Sequence, residues 1–452
     1  MDSRLFFRRS LCPDPNNAHS LEKLHGYCSA FLFSTSAPIS YHLALLSNSR
    51  PDPNGSPPVD FLSVIYKMNT MNDDYQGFEL GPIRPPSEAH SLLLRITRNC
   101  PWNRCTFCGL YKGEKFSIRP VDHVIRDIDT IRHYVDEIDR IMHQPGGGDQ
   151  RDFFDLQARI PDSDQVALHS ALNWVRGGMK SIFLQDANSL IVKPDDLAQI
   201  LNYVRRAFPQ IERITSYARS HSVARISDKD MARIAGAGLN RIHIGMESAA
   251  AEVLDFVKKG VNKQTHIVAG KKVKAAGIEL SEYFMPGLGG AHFSQANALE
   301  TADAINQIDP DFIRIRTLAI LQQVELYKDV QTGDFTPIGD IEKVEELLLF
   351  LESLNGINTR VKSDHILNLF QEVEGQLPDD REQITAPIRR FLAMPAEKQL
   401  LYMVGRRSGI FSRLENLNDP ELVRHAEEIR TAHRVNLDNI ETFTAQMMKR
   451  FI

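Results

Sequence analysis

The sequence predicts an α/β protein, a partial TIM-like (β/α)6 barrel followed by a mostly helical C-terminal extension. Six short runs rich in β-branched and aromatic residues alternate with stretches in which apolar residues recur at helical spacing. Strands that are separated by helices favour parallel pairing with right-handed crossovers. The later runs also start roughly every 30 residues, which is the length of a βαβ unit. A partial barrel is the natural closure of such a series.

The elements follow one another along the chain. The predicted strands are 92–97, 181–185, 213–217, 241–245, 280–284 and 312–316. The helices between them are predicted at 121–141, 167–175, 195–207, 228–237, 250–259 and 295–308. The glycine-containing segment 144–164 is expected to be an insertion loop. The helices of the extension are predicted at 341–354, 388–392, 397–404, 420–432 and 437–451.

The pattern divides the chain into three regions. Residues 1–79 are rich in turn formers and breakers and lack a periodic apolar pattern. We therefore expect them to be a disordered or mis-annotated N-terminal extension, since Met68 and Met71 stand just before the patterned region. The core barrel is expected at 80–320 and the helical extension at 321–452.

Composition excludes several classes of protein. Of the 452 residues, 42% are hydrophobic and 25% are charged, which is an ordinary globular balance. The 53 basic and 58 acidic residues give a net charge of −5, so a broad surface for nucleic acid is unexpected. No window approaches the roughly 18 apolar residues of a membrane span. We expect a cytoplasmic protein with no membrane contact.

Three of the five cysteines lie within nine residues, directly after the first strand. Cys100, Cys105 and Cys108 therefore stand at the end of a barrel strand where active-site loops gather. Three thiolates so close together can wrap one soft metal centre. A structural zinc site needs four ligands, for which only His90 and His123 could supply the fourth, and a redox dithiol would leave one cysteine unexplained. The pattern favours an iron–sulfur cluster with an open iron.

This cysteine triad resembles that of the radical S-adenosylmethionine (radical SAM) superfamily, although the spacing is CxxxxCxxC rather than the usual CxxxCxxC. In that family three cysteines hold a [4Fe–4S] cluster, and the amino and carboxylate groups of S-adenosylmethionine (SAM) chelate the fourth iron. The resemblance covers about residues 85–320. It is closest to the branch of the oxygen-independent coproporphyrinogen oxidases and Elp3-like proteins, whose motifs match 241–248, 258–260, 277–278 and 286–290 in order.

The resemblance implies cofactor contacts at several strand ends. Asp186 and Asn188 occupy the turn that meets the methionine amino group, unless they only form an Asx turn or helix cap. Glu247 matches a position near the ribose hydroxyls of the cofactor. Alternatively, its carboxylate only interacts favourably with the dipole at a helix N-terminus. Lys259 is a candidate to bind a carboxylate group. Phe107 either shields the cluster, lies by the adenine or simply packs.

Further candidates come from strand alternation. Tyr217 and Arg219 are expected near the mouth of the barrel, and Tyr283 follows on the fifth strand. Arg314 and Arg316 lie two residues apart and so share one face of the sixth strand. Each needs an anionic partner: a barrel acid such as Glu247, the cofactor carboxylate, or an anionic substrate.

The resemblance implies an enzyme that reductively cleaves SAM at a [4Fe–4S] cluster. The resulting 5′-deoxyadenosyl radical would abstract hydrogen from an unknown substrate. Such an enzyme also needs a low-potential electron donor such as a flavodoxin or ferredoxin, and nucleic acid is an unlikely partner. Two alternatives remain: a zinc-dependent barrel hydrolase, and a non-enzymatic iron–sulfur or zinc module for sensing or assembly.

Overall fold

The computed structural model describes residues 74–144 and 150–451. The strands of this part are, in chain order, β1 (Leu92–Arg95), β2 (Thr97–Arg98), β3 (Ser117–Ile118), β4 (Ser181–Gln185), β5 (Arg213–Ala218), β6 (Arg241–Glu247), β7 (Glu279–Phe284), β8 (Phe312–Ile315), β9 (Arg360–Lys362) and β10 (Gly375–Gln376). β1 and β4 to β10 form one sheet in that order, and β2 pairs with β3 in a second sheet.

The predicted parallel barrel strands are confirmed. Every neighbouring pair from β1 to β9 is parallel, and only β10 runs antiparallel to β9. β1 and β10 lie at the two edges of the sheet, so the sheet is open and the barrel is partial. The C-terminal part adds two strands that the sequence pattern did not predict, because β9 and β10 are only three and two residues long.

Helices alternate with these strands and continue beyond them. They are α1 (Val121–His143), α2 (Gln150–Arg159), α3 (Gln165–Arg176), α4 (Pro194–Ala207), α5 (Ser220–Arg225), α6 (Asp228–Gly236), α7 (Ala251–Phe256), α8 (Lys263–Ala275), α9 (Gly290–Ile308), α10 (Glu325–Thr332), α11 (Asp340–Ser353), α12 (Arg381–Leu392), α13 (Ala396–Arg407), α14 (Pro420–Ala432) and α15 (Ile440–Met448). None of the helices in residues 74–144 and 150–451 is both long and apolar enough to cross a bilayer.

Alternation along β6 decides which residues face the site. Ile242, Ile244 and Met246 are fully buried in the core between the sheet and the helices. His243 and Gly245 point to the opposite, inner face of the curved sheet. The same rule places the apolar residues of the other strands against the helices and leaves the inner face to polar and aromatic side chains.

Several helices differ from the sequence prediction, among them α5 and α10, which it lacks, and the two helices described next. α2 lies inside the segment 144–164 that was expected to be an insertion loop, and that prediction is wrong for its second half. Polar residues dominate α2, which hides its helical period. α8 was not predicted, because its lysines dilute the apolar stripe of Ile267, Ala269 and Val273. The side chain of Asn262 begins α8 by accepting a hydrogen bond from the Thr265 N–H at 2.9 Å.

The last residues of the predicted extension lie against the barrel. Phe78 is buried in the main core, and the Tyr75 hydroxyl donates to Asp127 Oδ1 at 3.0 Å. The Glu79 carboxylate pairs with Arg98 at 2.9 Å and Arg119 at 2.6 Å. The folded region thus includes residues 74–79, and the rest of the expected extension lies outside the described residues.

Candidate functional site

The three cysteines lie in the loop between β2 and β3. All three thiols are free and half-buried. Two asparagines turn the chain around them in the left-handed region, Asn99 with φ of 67° and Asn103 with φ of 47°. Asparagine tolerates this conformation better than most residues. The Asn103 N–H also donates to Cys100 Sγ at 3.4 Å.

Long-range backbone hydrogen bonds fix this cysteine loop (residues 99–109) to the end of the barrel. The Thr106 N–H donates to the Val257 carbonyl at 3.0 Å, and the Leu326 N–H donates to the Thr106 carbonyl at 2.9 Å. The indole N–H of Trp102 donates to the Lys258 carbonyl at 2.8 Å. Segments after β6 and β8 therefore hold the loop that carries the thiols.

Gly260 makes room for Trp102. Its φ is +72°, and a Cβ atom there would lie 2.3 Å from the Trp102 ring. Guanidinium groups lie over the same ring, those of Arg104 and Arg219, each 5.1 Å from its centroid. Trp102 thus joins the cysteine loop to the segments that follow β5 and β6.

Asp186 is a fully buried anchor of the same loop. Its Oδ2 accepts from Arg95 Nε at 2.9 Å, from Arg95 Nη2 at 2.7 Å and from the Asn99 N–H at 2.9 Å. Its Oδ1 lies 3.3 Å from the donating Tyr111 hydroxyl. Both oxygens are therefore engaged with the protein around the cysteines. The cofactor contact implied for Asp186 stays a prediction.

Asn188 connects the ends of β4 and β5. Its Oδ1 accepts from the Arg219 N–H at 3.0 Å, and its Nδ2 donates to Ser222 Oγ at 2.7 Å. The Arg219 guanidinium then donates to the Lys259 carbonyl at 2.6 Å. The chain of contacts holds Arg219 beside the cysteine loop, and Asn188 itself makes both of its hydrogen bonds within the protein.

Two cations lie close to the thiols. Burial raises the pKa of the Cys105 thiol, while the positive charges of Lys259 and Arg219 act in the opposite direction. Burial lowers the pKa of the Arg219 guanidinium, and the thiols of Cys100 and Cys105 counteract that shift. Lys259 Nζ also lies 5.6 Å from the centroid of the Phe107 ring, which is half-buried against a small apolar cluster. Phe107 thus contacts this apolar cluster, and its role as a shield of the iron–sulfur cluster or a neighbour of the adenine stays a prediction.

Glu247 ends β6 in an unusual conformation. Its φ is +69°, a strained value for a residue other than glycine, and the ladder shifts register between Ile244 and Glu247. Oε1 lies 3.8 Å from Lys259 Nζ and would be 2.5 Å from a Cβ atom at Gly245. The other oxygen, Oε2, is buried and has no hydrogen-bond partner among the described residues. A carboxylate oxygen in this state can accept a hydrogen bond from a ligand hydroxyl.

Aromatic rings cover the inner face of the sheet. The Tyr217 ring packs edge-on against Phe183 with centroids 5.1 Å apart, and it lies 6.5 Å from Tyr283. His243 lies beneath both tyrosines, with centroid distances of 5.8 and 6.1 Å. Burial lowers the pKa of His243 to about 4, although Glu88 opposes the shift. Tyr217 and Tyr283 thus lie near each other on one face of the sheet, and their role as cofactor-binding residues stays a prediction.

Arg314 and Arg316 follow on β8 and share that face. Arg314 is 4% exposed, and its Nη1 donates to Asp364 Oδ2 at 2.5 Å. Its partner is thus an acid of the loop after β9, and no ion pair with Glu247 occurs. Arg316 is half-buried near Tyr217 and Tyr283.

The donor set fits an iron–sulfur cluster. Thiolates are the usual ligands of iron–sulfur clusters, and Lys259 and Arg219 offset their negative charge. Within the parts of the chain that the structure describes, no three His, Cys, Asp or Glu side chains are grouped to hold a single metal ion. In a [4Fe–4S] cluster each thiolate binds a different iron, so the thiols need a wider spacing than the ligands of one ion.

Several contributors to the site were not predicted. Trp102, Gly260 and Tyr111 shape or hold the cysteine loop, and Asp364 pairs with Arg314. A tryptophan between two cysteines and a glycine after two lysines were visible signals. Their contact spans 158 residues of sequence and could be seen only in the folded chain.

Comparisons with known proteins agree with this site. Residues 94–302 match the model of the radical SAM superfamily. The tRNA uridine(34) acetyltransferase of Methanocaldococcus infernus is 26% identical over 120 residues, which are 26% of this chain and 22% of that relative. The chain thus spans about a fifth of the length of the curated relative that it matches.

Parts of this chain also align with solved structures at TM-scores below 0.5. The archaeal Elp3 of Methanocaldococcus infernus aligns with a TM-score of 0.36 and 16% identity over 44% of this chain and 53% of that chain. Coproporphyrinogen III oxidase HemN of Escherichia coli aligns with a TM-score of 0.39 and 13% identity, over 62% of this chain and 54% of that chain. The matched region, residues 94–302, begins six residues before Cys100 and includes all three cysteines of the triad.

Proposed function

We propose that this chain is a radical SAM enzyme that cleaves SAM reductively and removes a hydrogen atom from a substrate bound on the inner face of the sheet. The observation that carries the proposal is the grouping of three half-buried free thiols with Lys259 and Arg219, inside the matched domain. A [4Fe–4S] cluster held by these thiols would supply the low-potential electron needed for reductive cleavage of the sulfonium C–S bond of SAM.

The residues of this chain have separate tasks in that scheme. Cys100, Cys105 and Cys108 would hold three irons of the cluster, and Lys259 and Arg219 would offset its negative charge. Glu247 would accept hydrogen bonds from ribose hydroxyls, because its Oε2 is buried without a donor among the described residues. Tyr217 and Tyr283 would exclude water from the reacting atoms, since they line the inner face.

Loss of a single thiol tests the metal centre. We expect anaerobically reconstituted protein to be brown and to contain about four irons per chain. Cys105→Ala should lose most of this iron and the visible absorption. Cys28→Ala is the matched control, because Cys28 lies outside the matched domain, and it should keep both. A colourless wild-type protein that contains one zinc would contradict the proposal and favour a barrel hydrolase.

Cleavage of SAM tests the activity itself. Wild-type protein reduced with dithionite should form 5′-deoxyadenosine from SAM, measured by mass spectrometry, and Cys105→Ala should form none. A protein that holds the cluster and never cleaves SAM under strong reductant would contradict the proposal and favour a sensing or assembly module.

We propose tRNA as a second candidate substrate, on the similarity to relatives that are named tRNA uridine(34) acetyltransferases. The expectation that nucleic acid is an unlikely partner is therefore not supported by these relatives. Filter binding with total tRNA tests this candidate: we expect binding that weakens linearly on a plot of log affinity against log salt. No retention of tRNA at 50 mM salt would exclude it.

A further inference from the structure

Arg314 of β8 and Arg316, which directly follows this strand, differ in whether the protein supplies a hydrogen-bonding or charged partner for the guanidinium group. Arg314 donates from Nε to Ser281 Oγ at 3.2 Å and from Nη1 to Asp364 Oδ2 at 2.5 Å, and its guanidinium lies 5.9 Å from the Phe312 ring. Its charge is compensated inside the fold. Arg314 thus supports the inner face and leaves no charge for a ligand.

The Arg316 guanidinium has no such partner. Its backbone N–H donates to the Phe284 carbonyl at 3.0 Å, which fixes the start of the side chain. Among the described residues, no hydrogen bond or ion pair of its guanidinium occurs, although the residue is half-buried. None of its nitrogens is among the buried polar atoms without a partner in the described residues, so solvent reaches the guanidinium. A carboxylate or phosphate that enters this face can pair with it through two parallel hydrogen bonds.

The described residues around Arg316 provide no free anion for its guanidinium group, so a bound ligand would provide one. Its positive charge acts on Tyr217, Tyr283 and His365, which are neutral at neutral pH. Two acids lie close to these groups: Asp364, which Arg314 holds, and Glu247, whose Oε1 lies 3.8 Å from Lys259 Nζ. Burial lowers the pKa of His365 to about 4, and Arg316 contributes to that shift, so His365 adds no charge of its own.

The aromatic rings define the rest of the ligand. Tyr217 of β5 and Tyr283 of β7 lie on either side of β6 with ring centroids 6.5 Å apart, and Tyr217 is half-buried and thus reached by solvent. Flat rings bind flat apolar groups by stacking or edge contacts. A ligand on this face would therefore combine a flat apolar body with a negative charge at one end.

We propose that Arg316 is the residue that selects the substrate, and that the substrate is an organic anion whose carboxylate or phosphate group pairs with Arg316 while its flat body lies on Tyr217 and Tyr283. The role of this anion as a substrate rests on the proposed radical SAM function. The binding site itself does not, because it is built from the unpaired guanidinium and the two rings.

Three small probes test the anion site without any turnover. Benzoate and phenyl phosphate carry the two candidate anions on the same ring, and benzamide carries none. Calorimetric titration of the reconstituted protein with SAM present should show binding of at least one anion. Arg316→Gln should weaken that binding tenfold or more, and wild-type protein should bind benzamide at least tenfold more weakly than the better anion. The stronger of the two anions identifies the substrate as a carboxylate or a phosphate.

Two further variants make the test specific. Arg389→Gln removes an exposed arginine of α12 that pairs with Glu352, and it should leave anion binding unchanged. Arg316→Lys keeps the charge but loses the forked donor geometry, so it should bind with intermediate strength. It also serves as the test variant if thermal melting shows that Arg316→Gln does not fold.

Three results would overturn the proposal. They are absence of anion binding by wild-type protein, equal anion binding by Arg316→Gln, and a tenfold loss of SAM affinity in Arg316→Gln. The last result would make Arg316 a ligand of the cofactor carboxylate. Failure of the proposed function is seen separately, because it would abolish formation of 5′-deoxyadenosine and leave the titrations with anions unaffected.

Discussion

Asp186 shows how one buried side chain can hold the loop that carries three cysteines. Its carboxylate accepts from Arg95, from the Asn99 N–H next to Cys100 and from Tyr111. The first two are charge-assisted or backbone contacts, which carry most of the energy of such an anchor. Asp186 therefore anchors Asn99, the residue that precedes Cys100, which is the first of the proposed cluster ligands.

Asp186→Asn tests this role. The amide keeps the shape but replaces one acceptor by a donor that faces Arg95, so we expect the free energy of unfolding to fall by about 1–3 kcal/mol. The bound iron per reconstituted chain should also fall. Asp136→Asn is the control, since Asp136 forms only an exposed pair with Arg132 on α1. Normal iron and normal melting with lost SAM binding would instead show that Asp186 acts on the cofactor.

Gly260→Ala tests the contact between the cysteine loop and the segment after β6. The new Cβ atom would meet the Trp102 ring at 2.3 Å, and the residue would also keep a φ of +72°. Gly277→Ala is the matched control, because Gly277 has a φ of +71° and open space around it. The control should cost about 1–2 kcal/mol of stability and no iron. Gly260→Ala should cost more and should lose iron, as measured by melting and iron analysis.

Equal losses in the two glycine variants would contradict this account. They would show that backbone strain alone matters at Gly260 and that Trp102 can move aside without disturbing the thiols.

At the scale of elements, α11 is bound to the loop after β7 through one buried carboxyl group. Glu346 Oε1 accepts from the Gly287 N–H at 3.0 Å and from Asn297 Nδ2 at 2.6 Å, and Oε2 accepts from Ser294 Oγ at 2.5 Å. Burial raises the pKa of Glu346 to about 7, although these donors and Lys343 oppose the shift. The carboxyl group thus joins α11, α9 and the glycine-rich loop.

This raised pKa predicts a pH dependence of stability. The folded chain keeps a proton on Glu346 that the unfolded chain releases near pH 4.5, so the contribution of Glu346 to stability falls as pH rises from about 4.5 to about 7. Glu346→Gln is neutral throughout and should abolish this loss. Its stability relative to wild type should therefore increase by about 2–3 kcal/mol between pH 5 and pH 8, measured by urea unfolding.

The neighbouring Glu345→Gln is the control for that experiment, because Glu345 is exposed on the same helix. Its stability relative to wild type should stay constant over the same pH range. A constant difference for Glu346→Gln as well would show that Glu346 is already ionised in the folded protein at pH 5.

At the scale of the whole molecule, the C-terminal part extends the sheet of the partial barrel. β9 pairs in parallel with β8 through the register Ile313–Val361, and the loop after it supplies Asp364 to Arg314. The Phe350 ring of α11 stacks on Phe284 of β7 with centroids 4.0 Å apart. We therefore propose that the barrel and the C-terminal helices unfold together. The two regions expected at 80–320 and 321–452 would then form one cooperative unit.

Phe350→Ala tests this cooperativity. Because Phe350 is fully buried, its loss should lower the free energy of unfolding by about 3–5 kcal/mol. A single transition should shift in both circular dichroism and fluorescence. Leu299→Ala, at a site 38% exposed on α9, should change stability far less. Two separate transitions, with only one of them shifted, would contradict joint unfolding.

The strands and the thiols could be predicted from sequence because their signals are local. β-branched runs such as Ile242 and Ile244 mark buried strands, and the spacing of the cysteines marks a metal centre within nine residues. β9, α8 and the helix in 150–159 escaped prediction. Their few apolar residues acquire a buried face only after the neighbouring elements have packed.

Partners of the site residues could not be predicted in the same way. The spacing of Arg314 and Arg316 indicated that they share a face and that each needs an anionic partner. It did not indicate that Asp364 pairs with Arg314 and not with Arg316. Alternation placed Glu247 on the inner face, whereas the register shift that turns it onto Lys259 arises from the pairing with β7.

By itself, the sequence determined the alternation of strands and helices, the inner face of each strand and the position of the three thiols. These depend on periodicity and on spacing over a few residues. Only the tertiary structure decided that Asp186 and Trp102 hold the cysteine loop, and that Arg316 keeps an uncompensated charge. Such roles depend on which side chains from distant strand ends meet, and chain closure over 100 residues or more leaves no local pattern.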